Sequence, residues 1–237
     1  MDGVNELYKS GGVLEKWNQM VELADPDYGK RLYSILKEGV ITPSRKNFVF
    51  LSVSSNGGSR EISLARELDK DGGGGKLESK PTIIASDISD VAFQSIPNFA
   101  NVNFVRLRAD AYNLPVEKRS IDVIFDRMGA IWYKVHNGLE RATRINGKLP
   151  EWEVEEIVED VKKTLLQYKE KLKDGGTIIL DDPDRKSTDP ISTVQYLKKI
   201  IPDINNYLSD LGLAGQNVGS SEDRLLVIGP VSRSLRF

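Results

Sequence analysis

The 237-residue chain contains no cysteine. That absence removes disulfides, Cys-ligated zinc, iron–sulfur clusters and cysteine nucleophiles together. Histidine is almost as scarce. His136 stands alone, so a multi-histidine metal site is excluded and a histidine-based triad can form only around that residue. There is no basic excess either: 33 Lys and Arg face 35 Asp and Glu, a formal net charge of −2. A dedicated nucleic-acid binder would usually carry positive charge against phosphate. No uninterrupted apolar run reaches the ~18 residues a membrane helix needs. Met1–Gly12 is polar and glycine-bearing, without the apolar core of a signal peptide. A soluble, cytoplasmic protein is expected, with no membrane partner. At 39% hydrophobic the chain can bury a real core, and its length suits one domain.

What is there is ordered in three parts: a loose arm over 1–12, a helical segment over 13–40 and a main domain over 41–237. In the segment, Leu14, Trp17, Val21 and Ala24 recur at helical spacing. Pro26 interrupts, and Tyr28, Leu32, Ile35 and Leu36 resume the period up to Gly39. The pattern then changes to short apolar, β-rich runs: Asn47–Val53, Pro81–Ser86, Val102–Leu107, Ile121–Phe125, Thr177–Leu180, a weaker Leu213–Val218 and a closing Arg224–Gly229. Helices are expected between them. Ser59–Leu68 would turn Ile62, Ala65 and Leu68 inward, Asp90–Ile96 would be short, and Ile191–Leu211 would break at Pro202. Trp152–Lys173, with Val154, Ile157, Val161, Leu165, Tyr168 and Leu172 on one face, would be capped by Asp174-Gly175-Gly176. Asp71–Lys76, mostly glycine, reads as an exposed loop. Apolar strands alternating with helices describe an α/β protein, a mostly parallel sheet covered on both faces.

Such sheets bind ligands at the carboxyl ends of their strands. At the first end stand Ser52, Ser54, Ser55, Asn56, Gly57 and Gly58, small residues that let a ligand approach the backbone ahead of a helix N-terminus. At the second stands Asp87, where an acid can accept both hydroxyls of a ribose. At the third, Asp110 and the backbone of Ala111 could address the edge of an adenine.

In this order the stretches resemble the class I S-adenosylmethionine-dependent methyltransferases, over roughly Asn47 to Gly229. Phe48-Val-Phe-Leu-Ser-Val-Ser-Ser-Asn-Gly-Gly58 is similar to their glycine-rich first motif, and Ile83-Ile-Ala-Ser-Asp-Ile-Ser89 to their second. Val105-Arg-Leu-Arg-Ala-Asp-Ala-Tyr-Asn-Leu-Pro115 and Ser120-Ile-Asp-Val-Ile124 resemble the third and fourth, the most specific signal in the sequence. Leu172-Lys-Asp-Gly-Gly-Thr-Ile-Ile179 is similar to the approach to strand five. The resemblance implies a Rossmann-like three-layer αβα sandwich with a seven-stranded, mostly parallel sheet and an antiparallel last strand. It also implies S-adenosyl-L-methionine as cofactor. Ser54 to Gly58 would then lie against its methionine part, Asp87 on the ribose, Ile88 on the adenine face, and Asp110 and Ala111 at the adenine edge. Asp126 would stand near the methionine ammonium and the transferred methyl. The first motif departs from the family at Leu51, where an acid is usual, and at Val53 and Ser55, where glycines are usual.

Methyl transfer asks the protein chiefly to align acceptor, methyl and sulfur and to exclude water, so no catalytic dyad is required. Candidate acceptors for a substrate proton are Asp126, His136, Tyr133 and Asp181. Trp132 and Tyr133 could wall a substrate pocket or belong to the core. Asp181-Asp182-Pro183-Asp184 reads as a solvated turn in preference to a cation site, and no metal is expected. A small-molecule acceptor is the leading expectation, with protein and nucleic-acid acceptors left open. Neither the Gly-x-Gly-x-x-Gly of a nicotinamide dehydrogenase nor the Gly-Lys-Ser/Thr of an NTPase phosphate loop is present. The rival reading is a methyltransferase-like binding or scaffold module whose altered first motif has lost turnover.

Overall fold

The computed structural model describes residues 28–39, 46–55, 58–74, 79–88, 97–127, 129–144, 149–181, 193–201, 203–218 and 225–230. The arm over 1–12, the helix expected before Pro26, and the short helix at Asp90–Ile96 lie outside the described residues, as do Asn56, Gly57, Asp182 and Asp184. The seven described strands form one sheet in the order β3-β2-β1-β4-β5-β7-β6. By contact the chain divides after Pro115 into two compact units.

The first unit holds α1 (Tyr28–Gly39), β1 (Val49–Val53), α2 (Ser59–Gly73), β2 (Thr82–Asp87) and β3 (Asn103–Arg108). β1, β2 and β3 run parallel, in a register that sets Ser52 beside Ala85 and Asp87 beside Arg108. Phe50, Leu51 and Val53 are fully buried, as an inner parallel strand requires. Tyr28, Leu32 and Leu36 bury the inner face of α1. The helix crosses α2 so closely that a Cβ on Gly29 would fall 2.2 Å from the Ser63 hydroxyl.

Three expectations for this unit are corrected. β3 is not an apolar buried strand: Val105 is 42% exposed, and Arg106 and Arg108 face solvent. In the strand order it stands at one end, beside β2, and charged side chains suit an edge strand. The glycine run after Leu68 begins inside α2, which continues through Asp71, Gly72 and Gly73. Tertiary contacts override the poor helix propensity there. The Asn101 backbone N–H donates to Asp69 Oδ1 at 2.5 Å, its side chain donates to the Asp69 carbonyl at 3.1 Å, and the Tyr33 hydroxyl donates to Asp71. A side chain at position 72 would put its Cβ 2.4 Å from that of Asn101. The inward set of α2 is also shifted, to Glu61, Leu64, Ala65 and Leu68, with Ile62 half-buried.

The second unit holds β4 (Ile121–Arg127), α3 (Ala130–Arg144), α4 (Glu151–Lys171), β5 (Leu172–Asp181), α5 (Thr193–Ile200), α6 (Ile204–Asp210), β6 (Leu213–Val218) and β7 (Leu225–Pro230). β4 and β5 are parallel, and β7 runs against both β5 and β6. The expected antiparallel last strand is therefore present. β4 is buried over its whole length to Asp126. α4 buries Ile157, Val161, Thr164, Leu165 and Tyr168.

Here the fifth strand differs from expectation: Asp174-Gly175-Gly176 is not a helix cap, because α4 ends at Lys171 and β5 begins at once with Leu172. Ile121 pairs with Leu172 but Val123 with Thr177, so β5 bulges around Gly175, whose φ of 80° favours glycine. The Lys173 ammonium sits 2.7 Å from the buried Asp122 carboxylate and anchors the start of the strand. α3 is an element the sequence reading did not place. Among the described residues no helix is long and apolar enough to cross a membrane.

Candidate functional site

In the first unit the turn from β1 to α2 is built by serines and one described glycine. Ser54 adopts a left-handed φ of 56° and Gly58 one of 75°. The first conformation costs an L-residue about 1 kcal/mol, and such a residue persists where its surroundings fix it. Gly58 precedes α2 with no side-chain cap, and its N–H donates to the Ser55 carbonyl at 3.0 Å. The Ser55 backbone N–H and hydroxyl both donate to the Ser86 carbonyl, at 2.9 and 3.1 Å. The Ser86 hydroxyl donates to the Ser52 carbonyl at 3.0 Å, and the Ser52 hydroxyl donates to Glu61 Oε1 at 2.5 Å. Ser52, Ser55, Ser86 and Glu61 are all buried. The Ser52 and Ser55 hydroxyls therefore serve the protein's own bonds, while Ser54 keeps some surface. Val53, at a position where the family usually has glycine, is fully buried.

The ends of β2 and β3 carry the two acids that the sequence singles out. Asp87 is buried at the last position of β2, and the next residue, Ile88, is 54% exposed. The Ala109 N–H donates to the Asp87 carbonyl at 2.9 Å, which ties the exit of β3 to the end of β2. Asp110 opens a tight turn. Its Oδ1 accepts from the Tyr112 N–H and its carbonyl from the Asn113 N–H, both at 2.9 Å. Asp110 is exposed, Ala111 is half-buried, and Tyr112 is 43% exposed. Two acids and two exposed apolar side chains thus stand at adjacent strand ends. A nucleoside fits this set chemically: carboxylates can accept from hydroxyls and amino groups, and Ile88 and Tyr112 offer apolar faces to a base.

In the second unit, Asp126 lies at the end of β4 and is fully enclosed. Its Oδ1 accepts from the Gly129 N–H at 3.0 Å, and its Oδ2 from the Ile131 N–H at 3.3 Å and the Tyr168 hydroxyl at 2.8 Å. The carboxyl therefore accepts backbone donors at the start of α3. Burial pushes its pKa up to about 6, against the opposing pull of the Tyr168 hydroxyl and the Ile131 and Gly129 N–H groups.

On α3, the Trp132 indole stacks on the His136 imidazole at 4.2 Å and meets the Tyr133 ring edge-on at 5.3 Å. Trp132 is buried, Tyr133 is 38% exposed and His136 is half-buried. One end of this cluster is thus core and the other surface. Arg127 and Asp181 face each other in register at the ends of β4 and β5, with a 3.2 Å ion pair between them. Asp181 is therefore already matched to a cation. Among the described residues no group of three or more acids or histidines could hold a metal ion.

Glu61, Ser86, Arg127 and Tyr168 were not identified as site residues from the sequence. Glu61 left a trace, since it shares an i, i+3, i+4, i+7 face with Leu64, Ala65 and Leu68, an acid within an apolar stripe. Arg127 and Tyr168 left none, because their partners lie 54 and 42 residues away.

No family model matches the sequence, and no curated protein matches it. Solved structures do match. A protein from Methanococcus maripaludis, assigned as an S-adenosyl-L-methionine-dependent methyltransferase, superposes with a TM-score of 0.53 at 16% identity, covering 94% of each chain. A SAM-dependent methyltransferase from Aquifex aeolicus gives 0.51 at 14% identity, over 90% of this chain and 96% of that one. A Listeria monocytogenes protein assigned to class I of these enzymes gives 0.52 at 13%, over 93% and 68%. At such identities the likeness is one of fold. The chain has the Rossmann-like fold of the class I S-adenosylmethionine-dependent methyltransferases.

Proposed function

We propose that the protein transfers a methyl group from S-adenosyl-L-methionine to a small-molecule acceptor by direct in-line displacement. The observation that carries this reading is the arrangement at the ends of β2 and β3. Buried Asp87 is followed by exposed Ile88, and the Asp110–Asn113 turn bears exposed Tyr112. In this reading Asp87 holds the ribose, Ile88 lies on the adenine, and Asp110 with the Ala111 backbone reads its edge. The turn Ser54–Gly58, with Asn56 and Gly57, receives the methionine portion. When bound, the cofactor supplies a methyl already activated on a positively charged sulfur, so the chain has only to orient the acceptor and keep water out. Asp126 fixes the start of α3, and Tyr133 and His136 on that helix serve the acceptor and, where needed, its proton. A cytoplasmic location goes with this proposal.

Calorimetric titration with S-adenosylmethionine or S-adenosylhomocysteine tests it. Micromolar binding, abolished by Asp87→Ala and by Asp110→Ala, is the expected outcome. No binding at any reachable concentration would leave a scaffold module that shares only the fold.

A further inference from the structure

The carboxyl of Glu61 is nearly inaccessible to solvent and lies in the first turn of α2, three residues after Gly58. A buried carboxyl is costly unless its oxygens are hydrogen-bonded. Here Oε1 accepts from the Ser52 hydroxyl at 2.5 Å, the Ser52 carbonyl accepts from Ser86, and the Ser86 carbonyl accepts twice from Ser55. This bonded chain runs from the start of α2 through the end of β1 to the residue before Asp87. It spans the turn that contains Ser54 in its left-handed conformation and closes with the Gly58 N–H on the Ser55 carbonyl. A glycine-rich turn is held mainly by its own backbone preferences. This turn begins with serines at 54 and 55 ahead of its glycines, and buried side-chain bonds tie those serines and their neighbours in place.

We infer that Glu61 is a positioning residue for the cofactor turn, acting through Ser52 to hold Ser54, Ser55 and Gly58 in place beside the end of β2. The inference rests on the cofactor reading for its consequence in affinity, although the tie itself does not. Ser52→Ala and Glu61→Ala should each weaken S-adenosylhomocysteine binding about tenfold, the scale of one buried hydrogen bond to an acidic group. The double variant should be no weaker than either single one, because both break the same link. Glu61→Gln keeps an oxygen acceptor for Ser52 and should stay within about threefold of the native protein.

Amide exchange followed by NMR supplies a readout that needs no cofactor. The Gly58 amide should exchange at least about tenfold faster in Ser52→Ala, while Leu51 and Ile84 in the strands keep their protection. Unchanged Gly58 exchange would overturn the inference. So would full affinity in Ser52→Ala alongside a lowered Tm, which is the mark of a merely structural bond. If the native protein binds no cofactor, the methyl-transfer proposal falls, and Gly58 exchange alone decides the role of Glu61.

Discussion

Replacing Asp126 with asparagine should make the protein's stability less dependent on pH between about 4 and 8. Burial raises the folded-state pKa of this carboxyl from 3.8 to about 6, roughly two units. At about 1.4 kcal/mol per unit, ionising it in the folded protein carries a penalty of about 3 kcal/mol. The sign follows from proton binding. Between pH 4 and 6 the folded state holds the proton that the unfolded state has lost, so stability falls as pH rises through that window and levels off above it. Asparagine has nearly the same shape, keeps an acceptor for the start of α3, and does not titrate.

Urea denaturation of both proteins across this range isolates the effect, since subtraction cancels every other titrating group. The native protein should lose about 2 kcal/mol relative to Asp126→Asn between pH 4 and pH 8, the rest of the penalty falling below pH 4. Tyr168→Phe removes one of the bonds that favour the charged form and should move the transition to higher pH. A flat difference would refute the reasoning. A native protein that gains on the variant as pH rises would mean that the hydrogen bonds outweigh burial.

Two further tests address the packing. Gly72→Ala should destabilise by about 1–3 kcal/mol, because its Cβ would meet that of Asn101 at 2.4 Å. Gly73→Ala, whose nearest neighbour is a side-chain nitrogen at 3.6 Å, should instead be neutral or stabilise by up to about 1 kcal/mol; thermal melts compare the pair. Lys173→Ala strips a close cation from fully buried Asp122 and should cost about 3 kcal/mol in denaturant titration, with cofactor affinity unchanged.

The strands were legible in the sequence because inner parallel strands are apolar on both faces, and Phe50–Val53 and Ile121–Phe125 carry that composition apart from Ser52 and Asp122. Strand β3 misled for a related reason: Val102–Leu107 is as β-rich as the others, but its composition does not reveal that it stands at the end of the strand order, beside β2. The extension of α2 through Gly72 and Gly73 was hidden because local propensity opposes it and Asn101, nearly thirty residues on, supports it. Helix α3 begins four residues after Asp126, whose carboxyl at the end of β4 takes up donors at the helix start.

The order of the acids and of the serine and glycine residues along the chain determined that Asp87 and Asp110 would close successive strands, since those positions depend only on where apolar runs stop. What those side chains do was decided by tertiary structure. Ser52 and Ser55 turned inward to Glu61 and Ser86, Asp126 became the anchor of a helix, and Asp181 was matched by Arg127. A hydrogen bond or ion pair is set by distance in space, and Ser55 with Ser86, or Asp181 with Arg127, stand 31 and 54 residues apart in the chain and become neighbours only in the folded sheet.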